Sequence, residues 1–356
     1  MVYITGICPR QCFYCPLSDQ KKDKDVIYAN ERLCAKGKIN LKLENKALLE
    51  IIEEAKISQA KGAGITGGDP ISKLDRTVKL IKLFKQEFGK GFHIHLYTSL
   101  DLATKSNLTK LYNSGLDEIR FHPDLEGDEK LWNRINIAKG VGNWDIGVEI
   151  PVIPGKYQIT WKLINFIAPY VDFLNLNELE ISDTNGNKLL DYGYICKNEQ
   201  SYAIKGSHEM SLRLLKRVDK ENIKNRNSKK LPVHYCTSKL KDGVQMANRL
   251  KLRAESVKMP YEVVNEEGML IRGIIRMSWF DEKRLQNIIN DMIKTYNLPS
   301  QLLEVDVKRR GISIAPWVLD ELSAELKKMF NDNGIKCIIQ TEYPTWDRMI
   351  TENFEL

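Results

Sequence analysis

No stretch of this 356-residue chain comes near the ~20 consecutive apolar residues that a bilayer-spanning helix needs. That excludes a helical membrane protein, and a motif cysteine already at Cys8 leaves no space for the apolar core of a cleavable secretory segment. A cytoplasmic protein with no membrane partner is the expectation. Cysteine is sparse as well. There are seven, an odd number, and Cys34, Cys196, Cys236 and Cys337 stand singly, so a disulfide framework is excluded. Cys196 and Cys337 are expected to be small buried apolar groups. Excess charge of one sign is modest. The 54 Lys and Arg against 47 Asp and Glu give +7, compatible with RNA as a partner but short of a dedicated nucleic-acid footprint. The lysine-rich stretch from Lys216 to Lys230 is read as a solvated face.

The cysteines that do cluster lie at the very start. Cys8, Cys12 and Cys15 follow a short β-branched run, Val2 to Thr5, at C-x3-C-x2-C spacing. Three thiolates on one tight loop suit three corners of a cubane iron–sulfur cluster and leave its fourth iron without a protein ligand. The competing use is a structural zinc knot with Cys34 as fourth ligand, in a non-catalytic interaction protein. Zinc knots pair two separated knuckles, and no second C-x-x-C exists here. After the loop, Val26 to Glu31 reads as a connection whose Tyr28, Asn30 and Glu31 could approach the cluster's ligands.

Hydrophobic periodicity then alternates between two and 3.6. Strands are expected at Gly62–Thr66, Phe92–Thr98, Glu118–Phe121, Ile146–Val152, Phe173–Leu179 and Pro232–Cys236. Helices are expected at Lys46–Gln59, Leu74–Phe88, Thr104–Ser114, Lys130–Lys139, Ile159–Tyr170, Ser207–Val218 and Asp242–Glu255. Repeated βα units imply parallel strands. Strands buried on both faces should be apolar throughout. These alternate instead: His93, His95 and Tyr97 against Ile94 and Leu96; Glu118, Arg120 and His122 against Ile119 and Phe121. Asn175 and Asn177 alternate with Leu174 and Leu176, and His234 and Cys236 with Val233 and Tyr235. A polar face shared by successive strands predicts a curved sheet around a polar binding lumen.

From about Ser256 the order becomes strand (Met269–Met277), helix (Asp281–Tyr296), strand (Leu302–Val307), strand (Gly311–Ala315), helix (Pro316–Asn333), strand (Ile335–Thr341). This βαββαβ order is that of a ferredoxin-like α+β domain. Arg309-Arg310-Gly311 is the expected hairpin turn. The expected domains are residues 1–255 and 256–356, the second presenting a substrate or partner.

The motif Cys8-Pro-Arg-Gln-Cys12-Phe-Tyr-Cys15 resembles the signature of the radical S-adenosylmethionine (radical SAM) enzymes, and Thr66-Gly67-Gly68-Asp69-Pro70 resembles their Gly-Gly-Glu-Pro loop, with Asp for the usual Glu. Cys15-Pro-Leu-Ser18, Val26–Glu31 and Glu342–Asp347 are most similar to an archaeal group related to pyruvate formate-lyase activating enzyme. The resemblance implies a partial (β/α)6 TIM-like barrel, one [4Fe–4S] cluster on Cys8, Cys12 and Cys15, and SAM on its open iron. A ferredoxin- or flavodoxin-type donor would supply the electron, and a 5′-deoxyadenosyl radical would abstract hydrogen from a polypeptide, a metabolite or, alternatively, an RNA nucleoside. SAM contacts are then expected from Tyr14, packed on adenine, and from Gly67, Gly68, Asp69 and Pro70. Arg120, Glu149 and Asn177 would meet SAM or substrate, and His95, Tyr97, His122 and His234 the substrate. Cys236 is either a hydrogen-atom donor, a second-metal ligand or an inert buried thiol.

Overall fold

The computed structural model describes residues 1–199, 201–224, 229–238, 246–330 and 334–356. Backbone contacts divide the chain into two compact units, Met1–Lys56 with Ala60–Asp242, and Ile57–Gln59 with Gly243–Leu356.

The first unit is built on one sheet. Its strands are β1 (Val2–Tyr3), β2 (Val26–Ala29), β3 (Arg32–Lys36), β4 (Gly62–Thr66), β5 (His93–Ser99), β6 (Glu118–His122), β7 (Asp145–Val152), β8 (Phe173–Glu178) and β9 (Val233–Cys236). They are ordered β3-β2-β1-β4-β5-β6-β7-β8-β9. From β4 to β9 each strand pairs in parallel with the next, and β1 runs parallel to β4. The helices between them include α1 (Leu41–Ile57), α2 (Leu74–Phe88), α3 (Lys105–Asn113), α4 (Asn133–Lys139), α5 (Tyr157–Ile167), α6 (Gly186–Asp191) and α7 (Ser207–Lys224). The alternation read from the sequence sorts by burial. Ile94, Leu96, Ile119, Phe121, Val148, Ile150, Leu174 and Leu176 are fully buried, while His95, Tyr97, Arg120, Glu149, Asn175 and Asn177 are half-buried.

Residues 26–31 correct an expectation. They are not a plain connection but a strand and the turn of the β2–β3 hairpin, which pairs antiparallel with β1. Val26, Ile27 and Ala29 are buried, and Asn30 turns the chain with φ +52°. Arg32 hid the second strand from a reading of apolar periodicity: its charge is buried beside Glu50 and Glu53 of α1. Asn30 binds the Met1 amine and Glu54. Cys34 is also reassigned. It is buried within β3, its thiol pushed up to about 12 by burial and then by the Glu50 carboxylate.

The second unit holds α8 (Ala247–Val257), β10 (Val263–Val264), β11 (Leu270–Met277), α9 (Glu282–Tyr296), β12 (Leu303–Asp306), β13 (Gly311–Ile314), α10 (Pro316–Met329), β14 (Ile335–Glu342) and β15 (Ile350–Glu355). Its sheet is antiparallel throughout, ordered β12-β13-β11-β14-β15, with β10 on β11. Helix α8 runs through the division expected after residue 255, which therefore falls inside a helix. Residues 242–245 of one expected helix, 331–333 of another and 225–228 of the lysine-rich stretch lie outside the described residues. Strand β15 escaped the sequence because only Ile350 and Phe354 in it are apolar, and none of its residues is buried. Arg309 is not merely a turn residue. With Arg272 and Arg348 it forms a buried ionic cluster with Glu262, Asp306 and Glu342. Cys337 is fully buried as expected, whereas Cys196 is only half-buried. Among the described residues no helix is long and apolar enough to cross a membrane.

One buried cation ties the start of the first sheet to its helices. Arg76 of α2 donates to the Ile4 carbonyl (3.0 Å), to both oxygens of Asp25 (2.7 and 3.0 Å) and to Glu44 of α1 (2.9 Å). Burial opposes ionisation of Asp25, yet Arg76 and Lys73 outweigh it and hold the carboxyl below its usual range. Removing one partner of a buried pair strands the other, so Arg76→Ala is expected to lower stability by about 3 kcal/mol, read as a fall in the urea midpoint.

Candidate active site

At the carboxyl ends of the parallel strands lies a cavity of about 440 Å³ whose wall includes Cys8, Cys12 and Cys15. The loop bearing them is clasped from several sides. Arg10 donates to the His122 carbonyl at the end of β6 (2.6 Å) and pairs with Asp124 (2.8 Å). Asn185 donates to the Tyr14 carbonyl (3.0 Å), and Phe13 stacks on Tyr192 at 4.5 Å. Arg10 and Asn185 were not singled out from the sequence. For Arg10 the signal was available, since a cation set between thiols in Cys-Pro-Arg-Gln-Cys has an electrostatic use.

Gly67 and Gly68 do line the cavity, but what requires glycine there is another backbone. Gly67 has φ +147°, and a Cβ on it would meet the Thr5 carbonyl oxygen at 2.1 Å; one on Gly68 would meet the Ile7 oxygen at 2.4 Å. The Gly68 N–H donates to Thr5 (2.7 Å) and the Asp69 N–H to Ile7 (2.8 Å), stitching this loop to the cysteine loop. Asp69 has no exposure at all. It accepts from the Ile71 N–H (3.0 Å), Thr98 Oγ1 (2.8 Å), and the Ser99 N–H (3.1 Å) and Oγ (2.6 Å). Asp69 and Pro70 therefore stand behind the cavity wall as bracing, not in it.

Of the lumen candidates, Tyr97, His122, Glu149 and Asn177 reach the cavity together with Tyr14, while Arg120, His95 and His234 do not. Arg120 stands one layer deeper. It pairs with Glu118 and donates to Tyr97 Oη (2.8 Å) and Glu149 (3.3 Å). Glu149 also accepts from Asn175 (3.0 Å) and Asn177 (2.9 Å). His95 lies nearer the start of β5, and His234 is exposed on β9. Cys236 is buried at the end of β9 and is not part of the wall. Thr98, Ser99, Glu178 and Glu180 line the cavity without having been foreseen.

His122 has a defined tautomer. Its Nδ1 lies 2.8 Å from the Glu149 carbonyl, which only accepts, so Nδ1 carries the proton and Nε2 accepts from the Tyr14 hydroxyl at 3.0 Å. Burial, then the Arg10 charge, brings its pKa down to about 4, keeping the ring neutral at neutral pH. Burial raises the Cys12 thiol and pushes Cys8 up to about 11, and Cys8 and Cys15 each act electrostatically on Cys12 or feel it. Three half-buried soft donors on one wall fit a cluster held by three thiolates. The glycine-seated loop, Ser99, Glu149 and Asn177 are polar groups of the same wall.

Residues 2–143 match the model of the Radical SAM superfamily, and residues 268–356 that of a Domain of unknown function (DUF8061). The chain is 38% identical, over 100% of its own length and 89% of the relative's, to a Methanocaldococcus jannaschii protein named "Putative glycyl-radical enzyme activating enzyme".

The neutral His122 has a consequence for stability. Its folded pKa is depressed, so its contribution is fully present above its unfolded value near 6.5 and is lost as pH falls towards about 4. His95, brought down to about 3 chiefly by burial, acts in the same direction. Urea unfolding of His122→Gln between pH 6.5 and 4.5 is expected to show an acid limb shallower by about 1.4 kcal/mol per pH unit, one proton's worth, than the parent's.

Proposed function

Because the chain belongs to the radical SAM superfamily, we propose that the cavity beside Cys8, Cys12 and Cys15 is where SAM and a polypeptide substrate meet. The chain is a radical SAM enzyme: with its [4Fe–4S] cluster, SAM and an electron from a reductant, SAM is cleaved to a 5′-deoxyadenosyl radical that abstracts hydrogen from a substrate. The observation that carries the site assignment is that the three thiols share one cavity with the glycine loop and the Glu149–Asn177 pair.

In this reading Cys8, Cys12 and Cys15 hold the cluster. Gly67 and Gly68 offer backbone groups to the methionine end of SAM, and Tyr14, oriented by His122, packs against the adenine. Glu149 and Asn177 take the ribose hydroxyls, and Tyr97 faces the substrate. Arg120, Asp69 and Pro70 are positioning residues; His95 and His234 have no part. A half-enclosed cavity limits water around the reacting groups.

The sequential strand order supports a partial (β/α)6 barrel for the catalytic domain, because a doubly wound sheet reverses order at its switch point. The order β12-β13-β11-β14 and the βαββαβ succession support a ferredoxin-like second domain, closed at one edge by β15. We take this second domain to present the substrate. The relative's name speaks of activating a glycyl-radical enzyme, and we extend that to a glycine Cα–H as the hydrogen source. A glycine lets a peptide strand approach a narrow cavity closely, since it has no Cβ.

After anaerobic reconstitution the chain is expected to carry about four irons and, with dithionite and SAM, to yield 5′-deoxyadenosine. Cys12→Ala is expected to lose iron and product while limited proteolysis still leaves the second unit intact. A protein fraction of cell extract should raise product formation and develop a protein-bound radical by electron paramagnetic resonance, with both effects abolished by trypsin. Stimulation abolished instead by ribonuclease would replace the polypeptide substrate with RNA.

A further inference from the structure

The far end of the same strands carries a second group of donors that the proposed reaction does not use. His93 and His95 share one face of β5 at a spacing of two, and Glu118, the first residue of β6, is the cross-strand partner of His95. One ligand atom from each of the three lies within 4.8 Å of the other two. From this convergence we infer that His93, His95 and Glu118 form a site for a zinc-type divalent transition-metal ion, tying the start of β5 to β6.

The geometry suits such an ion. His93 Nε2 stands 3.3 Å from Glu118 Oε2, close to the separation of roughly 3.3 Å between two donors each ~2.0–2.1 Å from a tetrahedral centre. The carboxylate is already oriented. Its Oε1 is taken by the Arg120 guanidinium, which turns Oε2 towards the imidazoles, as carboxylate ligands are commonly held by outer hydrogen bonds. The His95 ring lies against Gly64 of β4, where any Cβ would come within 2.6 Å of Nε2. The two imidazole rings are 5.8 Å apart between centroids. Two imidazoles and one carboxylate are a donor set for zinc, iron or nickel and not for calcium or magnesium. His93 is exposed, so an ion can enter from solvent and complete its coordination with water.

Arg120 gives the site a path to the cavity. The guanidinium that holds Glu118 also donates to Tyr97 and Glu149, which line it. Occupancy would thus stiffen the layer on which the cavity's polar wall rests.

The test uses the full chain with its cluster reconstituted. It is dialysed against micromolar ZnCl2, and zinc and iron per chain are measured beside the melting temperature with and without zinc. His93→Gln and Glu118→Gln are compared with the parent, iron content serving as the check that the fold and cluster are intact. The expected result is one zinc per parent chain beyond any in the variants, binding weakened at least tenfold in each variant at equal iron, and a zinc-dependent rise in melting temperature confined to the parent. Equal zinc uptake and equal melting shifts in all three proteins would overturn the inference and leave an ordinary His93–Glu118 contact.

Discussion

The site rests on a carboxylate that water never reaches. Asp69 takes four hydrogen bonds, from Ile71, Thr98 and twice from Ser99, and so locks the loop after β4 to the end of β5. Its own N–H and that of Gly68 hold the carbonyls of Ile7 and Thr5. Cysteine loop, glycine loop and β5 end are thereby one braced body. Burial pushes the Asp69 carboxyl up although four donors oppose it. Each donor left without its acceptor would cost about 1–3 kcal/mol, which makes this acid hard to replace. Its role also accounts for Asp in place of Glu: the shorter side chain caps the turn at Ile71 while still reaching Ser99.

Behind the cavity the polar face of the parallel sheet is organised in layers. Glu149 is held by Arg120, Asn175 and Asn177, so its charge is compensated and its direction fixed. Burial raises the Tyr97 hydroxyl and lowers His122, leaving both neutral at neutral pH. A reaction that passes through a carbon-centred radical needs placement and shelter from its protein more than acid–base work. Tyr97, His122 and the paired Glu149, set on neighbouring strands, supply both.

Much of this was legible in the residue order because period-two alternation and the cysteine spacing are local signals. The parallel strands, the polar face and the three thiols needed nothing else. Depth along a strand did not show. His95 and Tyr97 share a face, yet Tyr97 lines the cavity while His95 meets Glu118 nearer the strand's start, since periodicity fixes the side and not the height. Nor did the bracing role of Asp69 show, because three of its four hydrogen bonds come from Thr98 and Ser99 at the end of β5, about thirty residues on. Arg32 and β15 failed the apolar test for opposite reasons: one buries charge against α1, the other buries nothing.

The central claim is that three thiolates leave one iron free for SAM, and Mössbauer spectroscopy of the chain reconstituted with isotopically enriched iron addresses it most directly. Adding SAM should leave three iron sites of the cluster unchanged and shift the isomer shift of one. A spectrum in which no site responds to SAM would contradict the account.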